Sequence, residues 1–469
     1  MRPVATSSQM RTAEEKVFAE QQGVDLMGRA AEAVVSVARV MAPSGPVVVA
    51  VGPGNNGGDG LFAAATLAAE REVLLWLAMG TAHEAGLAAA SEAGCREVDG
   101  VEATESLVDA SLVLDAVLGI GGRPGLPDDL VTFAAAADSL GVPVLAVDLP
   151  SGLDTDSGAM HPSFRADCTV TFGAPKPCHV IGDASERCGD VVVADIGVPV
   201  ADTGLWVAQQ SDVALWWPVP GPDSHKYTRG VVGLDAGSAS YPGAALLSCA
   251  GALHAGPGMV RYLGGAPQTL VLARFPSIVM ADGRVQAMVL GSGWGDLDDA
   301  ASRLAGAVER GVPLVLDADA LRLLPSDLPE NSLLTPHAGE LARMLGIERD
   351  AVDTDPMGSA REAASRFGAT VLLKGGTQYI ATPSGNVTLA VRGPAWTGQA
   401  GSGDTLAGMC GTLLAAGLQA DRAAVLAASL QAMTASHHPG PHPPDVLASF
   451  FPEVIAGLLD AALGPIATE

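Results

Sequence analysis

Across the first 200 residues, short apolar runs rich in β-branched residues alternate with Ala-rich helical stretches, and this alternation constrains the chain more than any other feature. The runs are PVVVAV at 46–51, EVLLWLA at 72–78, SLVLDAVLG at 111–119, PVLAVDL at 143–149, CTVTFG at 168–173 and DVVVADIG at 190–197. As a set they are too continuously apolar for a half-wet sheet. They predict parallel strands covered by helices on both faces, a doubly wound α/β fold. A second α/β pattern starts near residue 229 with RGVVGLDAGS. It continues through TLVLARF, QAMVLGSG, PLVLDADAL, ATVLLKGG and NVTLAV into an Ala/Leu/Gly stretch at 403–435. Between the two, periodicity fades and Pro falls at 218, 220 and 222, which places a boundary near residue 210 and domains at 1–210 and 211–469. Trp216 and Trp217, beside that linker, read as packing anchors.

A length of 469 residues suits two or three domains. With 26 Lys and Arg against 52 Asp and Glu, the formal charge of −26 repels nucleic acid and anionic membrane surfaces alike. No apolar run reaches 18 residues and the start, MRPVATSSQMRTAEEK, has no signal-like apolar region, so a cytoplasmic protein with no membrane partner is expected. A homo-oligomer is compatible with the composition. Cys95, Cys168, Cys178, Cys188, Cys249 and Cys410 form no CxxC pair and predict reduced thiols. Only four lysines occur, Lys16, Lys176, Lys226 and Lys374, so each calls for a reason beyond surface charge.

The segment Gly52-Pro53-Gly54-Asn55-Asn56-Gly57-Gly58-Asp59-Gly60 follows the first strand. Its glycines are expected to free the backbone for positive φ and close approach, and the helix after it to offer N–H groups to a phosphate. It is neither GxGxxG nor a P-loop. Asp115 ends one strand and precedes Gly119-Ile120-Gly121-Gly122-Arg123-Pro124-Gly125. Asp148 ends another and precedes Pro150-Ser151-Gly152. Carboxylates at the C-terminal ends of parallel strands line the crevice where open α/β sheets bind ligands, so Asp59, Asp115 and Asp148 are expected to converge. Such oxygens suit a hard cation and a spare carboxylate can move protons, although helix capping is an equally ordinary use for Asp59.

In the second half, Gly401-Ser402-Gly403-Asp404 precedes the helical TLAGMCGTLLAAGL. Glycines at a helix N-terminus let N–H groups point at a transferring phosphoryl, and Asp404 is placed to accept a hydroxyl proton. LLKGGTQ puts Lys374 at a strand end, TPHAGE puts His337 at the start of a helix, and LDADAL puts Asp317 and Asp319 after a strand, where they read as caps for the next helix.

GPGNNGGDG, LDAVLGIGG, VDLPSGLD, TFGAPK and DIGVP, with MRTAEE and LMGRAAEA before them, resemble the NAD(P)H-hydrate epimerase domain over about 200 residues. That resemblance implies a Rossmann-like sheet and interconversion of the R and S forms of hydrated NADH or NADPH. By motif, Asn55, Asn56, Gly57, Gly58, Asp59, Gly119, Ile120, Gly121, Gly122, Arg123, Pro124 and Gly125 would bind the hydrate. Asp148 would be the acid/base group, Asn56, Asp115 and Ser151 would hold potassium, and Lys176 has no assigned role. HKYTRGVVGLDAGSASYPGAALLSCAGALHAGPGMV, LGSGWG, LDADAL, TPHAGE, LLKGG and AGSGDTLAG resemble the ribokinase-like, ADP-dependent NAD(P)H-hydrate dehydratase over residues 212–465. There Ala244, Gly293, His337 and Asp404 would touch the hydrate. Lys374, Gly375, Gly376, Thr377, Gln378 and Gly403 would hold ADP (or ATP), and Asp404 would be the base.

Phosphorylating the added hydroxyl turns it into a good leaving group. Mg²⁺ is expected with the nucleotide on charge grounds. The implied whole is a bifunctional repair enzyme that epimerises the hydrate, then dehydrates the S form with release of AMP and phosphate. A ribokinase-like small-molecule kinase, or a nucleotide-binding protein without turnover, are the alternatives. This chain departs from the family pattern at GPAWTGQA before the GSGD, at Thr377 one position early, at Ser292 in LGSGWG and at Ala338 in TPHAGE.

Overall fold

A computed structural model describes residues 1–201 and 203–463. The chain separates into two compact units, Pro3–Thr203 and a second that joins Met1–Arg2 to everything from Gly204 onward. That division precedes the position near 210 expected from fading periodicity, because Leu205–Val207 is already a strand of the second sheet.

The first unit holds a seven-stranded sheet: β1 (Val47–Val51), β2 (Val73–Leu77), β3 (Arg96–Val98), β4 (Leu112–Ala116), β5 (Val144–Val147), β6 (Cys168–Phe172) and β7 (Asp190–Ala194). Their spatial order is β3-β2-β1-β4-β5-β6-β7, every pair parallel. Both faces are covered. Val47, Val49 and Val51 enter one hydrophobic core while Val48 and Ala50 enter another, which is why this strand reads as an unbroken apolar run. The order reverses between β1 and β4, which makes a crevice at their C-terminal ends. Three helices frame it: α1 (Ser7–Glu20), α2 (Leu26–Met41) and α3 (Asn55–Leu67).

The second unit carries β8 (Leu205–Val207), β9 (Val231–Asp235), β10 (Met259–Tyr262), β11 (Ala287–Leu290), β12 (Leu314–Leu316), β13 (Leu333–Leu334), β14 (Thr370–Leu373), β15 (Tyr379–Ala381) and β16 (Val387–Leu389). Strands β10-β9-β11-β12-β13-β14 run parallel in that order, and an antiparallel pair, β15 and β16, extends the edge toward β8. TLVLARF is not part of the sheet. It forms the helix Gln268–Arg274, in which Val271 is buried while Leu270 and Leu272 face solvent, and Phe275, one turn on from Val271, is buried beside it. That i, i+4 pairing outweighs the β-branched look of the segment. The helices α4 (Pro242–His254), α5 (Ala338–Leu345), α6 (Ser402–Ala415) and α7 (Ala420–His437) matter for the site. The Ala/Leu/Gly stretch thus folds as two helices. Trp217 is buried and Trp216 packs on the same core, with the Arg422 guanidinium 5.1 Å from its ring centre.

Glycines in α4 and α6 let their backbones touch. A Cβ on Gly251 would fall 1.9 Å from the Thr405 carbonyl oxygen, and one on Gly408 2.1 Å from that of Ser248. All six cysteines are free thiols. Among the described residues no helix is long and apolar enough to cross a membrane.

Candidate active sites

In the first unit the NNGGDG segment is the opening of α3 rather than a loop before it. Its glycines do not adopt positive φ, contrary to the expectation from sequence. They are small because something is close: a Cβ on Gly57 would lie 2.0 Å from the Gly52 carbonyl oxygen, and one on Gly60 2.3 Å from the Ala116 Cβ. This fit draws the N-terminus of α3 against the ends of β1 and β4, with its free N–H groups at the crevice.

A cavity of about 510 Å³ opens there. Asn55, Asn56, Asp59, Gly119, Ile120, Gly121, Gly122 and Asp148 line it, together with Arg11, Glu14, Phe18 and Lys176. Gly57, Gly58, Arg123, Pro124 and Gly125 are outside its lining; Gly125 instead ties its loop to the next by donating to the Gly152 carbonyl at 2.7 Å. Of the three carboxylates expected to converge, two do. Asp115 is fully buried away from the wall, its Oδ1 accepting from Ser151 Oγ at 2.5 Å and its Oδ2 from Ser151 N at 2.7 Å. Burial pushes Asp115 up to about 7 against the pull of those bonds. Asn56, on the cavity wall, has buried Oδ1 and Nδ2 atoms that have no partner.

Asp148 follows β5 with φ of 68°, a left-handed conformation that a non-glycine residue holds only at some cost. Its Oδ1 accepts from Lys176 Nζ at 2.6 Å and Thr171 Oγ1 at 3.1 Å, and its Oδ2 from Ile120 N at 3.2 Å. The Lys176 ammonium, almost wholly buried, also donates to Thr171 Oγ1 at 2.7 Å and the Phe172 carbonyl at 3.2 Å, so all three of its protons are engaged. Burial alone would raise Asp148, but the charge and hydrogen bond of Lys176 override it and hold the carboxyl below its usual range. Asp59 goes the other way: burial, then the charges of Asp148 and Glu14, push it up to about 8. One cavity therefore presents an ionised and a protonated carboxyl at neutral pH, the pairing that acid/base chemistry uses. His179 is pushed down to about 3, by burial first and Lys176 second, and its Nδ1 accepts from Lys176 N at 2.9 Å.

In the second unit Gly401, at φ 90°, turns the chain into α6, whose first turn contains Gly403 and Asp404. Lys374, at the end of β14, reaches this point: a Cβ on Gly403 would stand 3.2 Å from its Nζ. Lys374 pairs with Asp317 Oδ1 at 2.7 Å and lies 3.9 Å from Glu340 Oε2. Burial, then the Asp317 charge, push Asp404 up to about 7, with Lys374 opposing and Glu340 adding to the rise. His337 is the N-cap of α5, its Nδ1 accepting from Gly339 N at 3.0 Å and Glu340 N at 3.3 Å. Burial lowers its pKa against the opposing charge of Glu340, whose Oε1 lies 3.4 Å from its Nε2. Gly293, at φ 66°, lies against α4, where its Cβ would meet that of Ala244 at 2.4 Å, so these two residues share one spot. Gly375, Gly376, Thr377 and Gln378 form the turn from β14 to β15, and Gln378 Oε1 is buried without a partner.

Residues 23–178 match the model of the YjeF-related protein N-terminus, and residues 232–449 that of NAD(P)H-hydrate dehydratase. The bifunctional NAD(P)H-hydrate repair enzyme of Mycobacterium leprae is 43% identical over 447 residues, 90% of this chain and 91% of that one. The chain belongs to the bifunctional NAD(P)H-hydrate repair enzyme family. The repair enzyme of the same name from Mycobacterium tuberculosis is 43% identical over 81% of this chain and 80% of its own. A Bacillus subtilis ADP/ATP-dependent NAD(P)H-hydrate dehydratase, co-crystallised with ATP and Mg²⁺, matches 53% of this chain and 97% of its own length at TM-score 0.50 and 25% identity.

Within this repair-enzyme frame, the sequence reading missed Arg11 and Glu14 as cavity residues and left Lys176 without a role. Arg11 and Glu14 lie in MRTAEE, far from any strand end, and only the packing of α1 brings them in. Lys176 did carry a signal, as one of four lysines in the chain. The carboxylates of Asp317 and Asp319 do not cap the following turn: that of Asp317 pairs with Lys374, and that of Asp319 accepts from Gly295 N at 2.7 Å.

Proposed function

We propose that the first unit epimerises NAD(P)H hydrate at the Asp148 cavity and that the second dehydrates the S form with ADP at the N-terminus of α6. Hydration of a dihydronicotinamide protonates the enamine carbon and adds water to the carbon beside the ring nitrogen, so the hydrate carries its hydroxyl there. Epimerisation then runs through the same ring cation. Asp59 gives its proton to the departing hydroxyl while the nitrogen lone pair forms the N=C bond. Water adds to the other face, and the proton it sheds goes to Asp148, whose position Lys176 fixes. Proton exchange with solvent restores both carboxyls.

Asn56, Asp115 and Ser151 would hold potassium. The buried, unpartnered Asn56 amide oxygen and the oxygen atoms of the Asp115–Ser151 pair are donors of the kind that suit a hard cation. When bound, it would supply positive charge that offsets Asp115 and fixes the α3 N-terminus.

In the second unit Asp404 takes the proton from the hydrate hydroxyl as the oxygen attacks the β-phosphorus of ADP, and AMP departs. The free N–H groups of α6 and the Lys374 ammonium stabilise the charge on the transferring group. Phosphate then leaves with its bonding pair, the ring nitrogen forms N=C, and loss of a proton from the neighbouring carbon restores NAD(P)H. Among the described residues no group of three or more His, Cys, Asp or Glu could hold a metal by itself. Mg²⁺ is therefore expected to arrive on the nucleotide, where it neutralises phosphate charge.

The observation that carries this reading is Asp404, raised toward neutrality in the first turn of α6 with Lys374 beside it. It is tested by recovery of reduced-nicotinamide absorbance from mixed R/S NADH hydrate with ADP and Mg²⁺. Complete recovery is expected. Recovery of only the S fraction would remove the epimerase half, and none at all would remove the dehydratase half.

A further inference from the structure

Asp317 is 1% exposed at the end of β12 and receives three donors: Ser292 Oγ at 2.8 Å, Thr335 Oγ1 at 2.8 Å and Lys374 Nζ at 2.7 Å. It occupies the N-cap position of the short turn Ala318–Arg322, where its backbone carbonyl accepts from Ala320 N at 3.2 Å but its side chain makes no capping bond. The next residue, Ala318, is left-handed at φ 49°, one of three non-glycine residues to be so among those described. A conformation disfavoured for alanine is thus kept immediately after a carboxylate that does no capping.

The geometry points to a purpose for it: Asp317 holds the Lys374 ammonium away from Asp404, so that Asp404 has no cationic partner and can take a proton. Lys374 Nζ is close enough to α6 to touch a Cβ at Gly403, one residue before Asp404. Even so, among the described residues its ion pairs within 4.0 Å are with Asp317 and Glu340. The titratable and charged groups facing Asp404 are Asp317 from β12, Lys374 from β14 and Glu340 from α5, with the Ser292 hydroxyl from the loop after β11. If Lys374 lost Asp317, the carboxylates left to it would be Glu340 and Asp404. Pairing with Asp404 would turn a base matched to neutral pH into an ordinary, weakly basic carboxylate. Asp317 is in this sense a positioning residue, acting on the base through the lysine and touching no substrate.

The inference rests on the reading of Asp404 as the base, and the test separates the two. The pH profile of kcat for ADP-dependent dehydration is measured on the full chain for the native enzyme and for D404N, D317N, K374M and D317N/K374M. D317N, an isosteric change, should move the acid limb of the profile to lower pH by about one unit and lower the plateau on the order of tenfold. K374M alone should move the limb upward. The double variant should bring it back to the native position or above, because the misplaced cation is gone. A merely structural Asp317 would not produce shifts of opposite sign or their reversal. An unmoved limb in D317N or in K374M, or a double variant as low as D317N alone, overturns the inference. Full dehydration by D404N would instead overturn the base assignment. Hydrogen–deuterium exchange of peptides covering β12 and β14 reports that the second unit of each variant is folded, and epimerisation, which belongs to the first unit, should stay unchanged.

Discussion

Lys176→Met removes the one buried ammonium that Asp148 pairs with at 2.6 Å, and both groups are below a tenth exposed. Breaking one side of a buried ion pair costs about 3–5 kcal/mol, because the remaining charge is left without a partner. Asp148 escapes part of that cost by taking a proton, so the penalty depends on pH. In the native chain its folded pKa is depressed, so the contribution of the pair is present above the usual carboxylate range and lost as pH falls through the folded value. In the variant the same carboxyl is raised by burial, and stability is lost as pH rises. The gap between native and variant should therefore widen from pH 5 to pH 7. Asp148→Asn strands the ammonium instead, and Asn tolerates the φ of 68° held there, so backbone strain does not confound the comparison. Lys176→Met/Asp148→Asn removes both charges and should cost less than the sum of the two single changes by roughly 2 kcal/mol or more. Hydrogen–deuterium exchange of peptides covering β5 and β6 isolates the first unit. For Lys176→Met a loss of about 3–5 kcal/mol corresponds to exchange faster by roughly a hundredfold to several thousandfold. A single-variant loss under about 1 kcal/mol, or strictly additive single and double variants, would refute the reasoning.

Asp404→Ala should abolish dehydration and spare epimerisation, and Asp148→Ala should do the reverse, read as absorbance recovery and as loss of R/S interconversion by NMR. Loss of both activities from either folded variant would contradict the division of labour. Because Asp59 is raised to about 8 in the fold, the first unit binds a proton that the unfolded chain releases, and its stability should fall as pH rises from the ordinary carboxylate range to about 8. Asp59→Asn should flatten that slope in melts taken across the range. Gly251→Ala places a Cβ 1.9 Å from a backbone oxygen, which no rotamer can relieve, so a loss of about 1–3 kcal/mol or more in the second unit is expected with dehydration falling alongside it. An unchanged melting temperature would show that α4 and α6 can separate freely.

Most of the first sheet was legible because a strand buried on both faces writes itself as an apolar run, and five of its seven strands do so, while β7 at the edge is apolar in sequence though partly exposed. β3, three residues with Arg96 and Glu97 exposed at the sheet edge, carries no such pattern. TLVLARF misled because its branched residues are those of a strand while its buried positions, Val271 and Phe275, repeat at helical spacing. At the sites, motif positions such as Asp148, Asn56 and Asp404 could be found from sequence. What each carboxyl does could not, because that depends on which cation lies within 3 Å: Lys176 follows Asp148 by 28 residues and Lys374 follows Asp317 by 57. The glycines of GPGNNGGDG were legible as unusual, but their reason, the closeness of Gly52 and Ala116, exists only in three dimensions.

The contact between α4 and α6 is made by peptide groups meeting where side chains are missing, at Gly251 with Thr405 and at Gly408 with Ser248. A separation set by two backbones has no rotamers to adjust, so it passes unchanged through substitutions in the surrounding core. Leu, Val and Met can drift in such a core at modest cost, as long as volume is kept. The place of Asp404, three residues into α6, does not drift with them. Among descendants of this sequence, the packing around the site is therefore free to be rewritten, while these two glycines set the limit on how far Asp404 can wander.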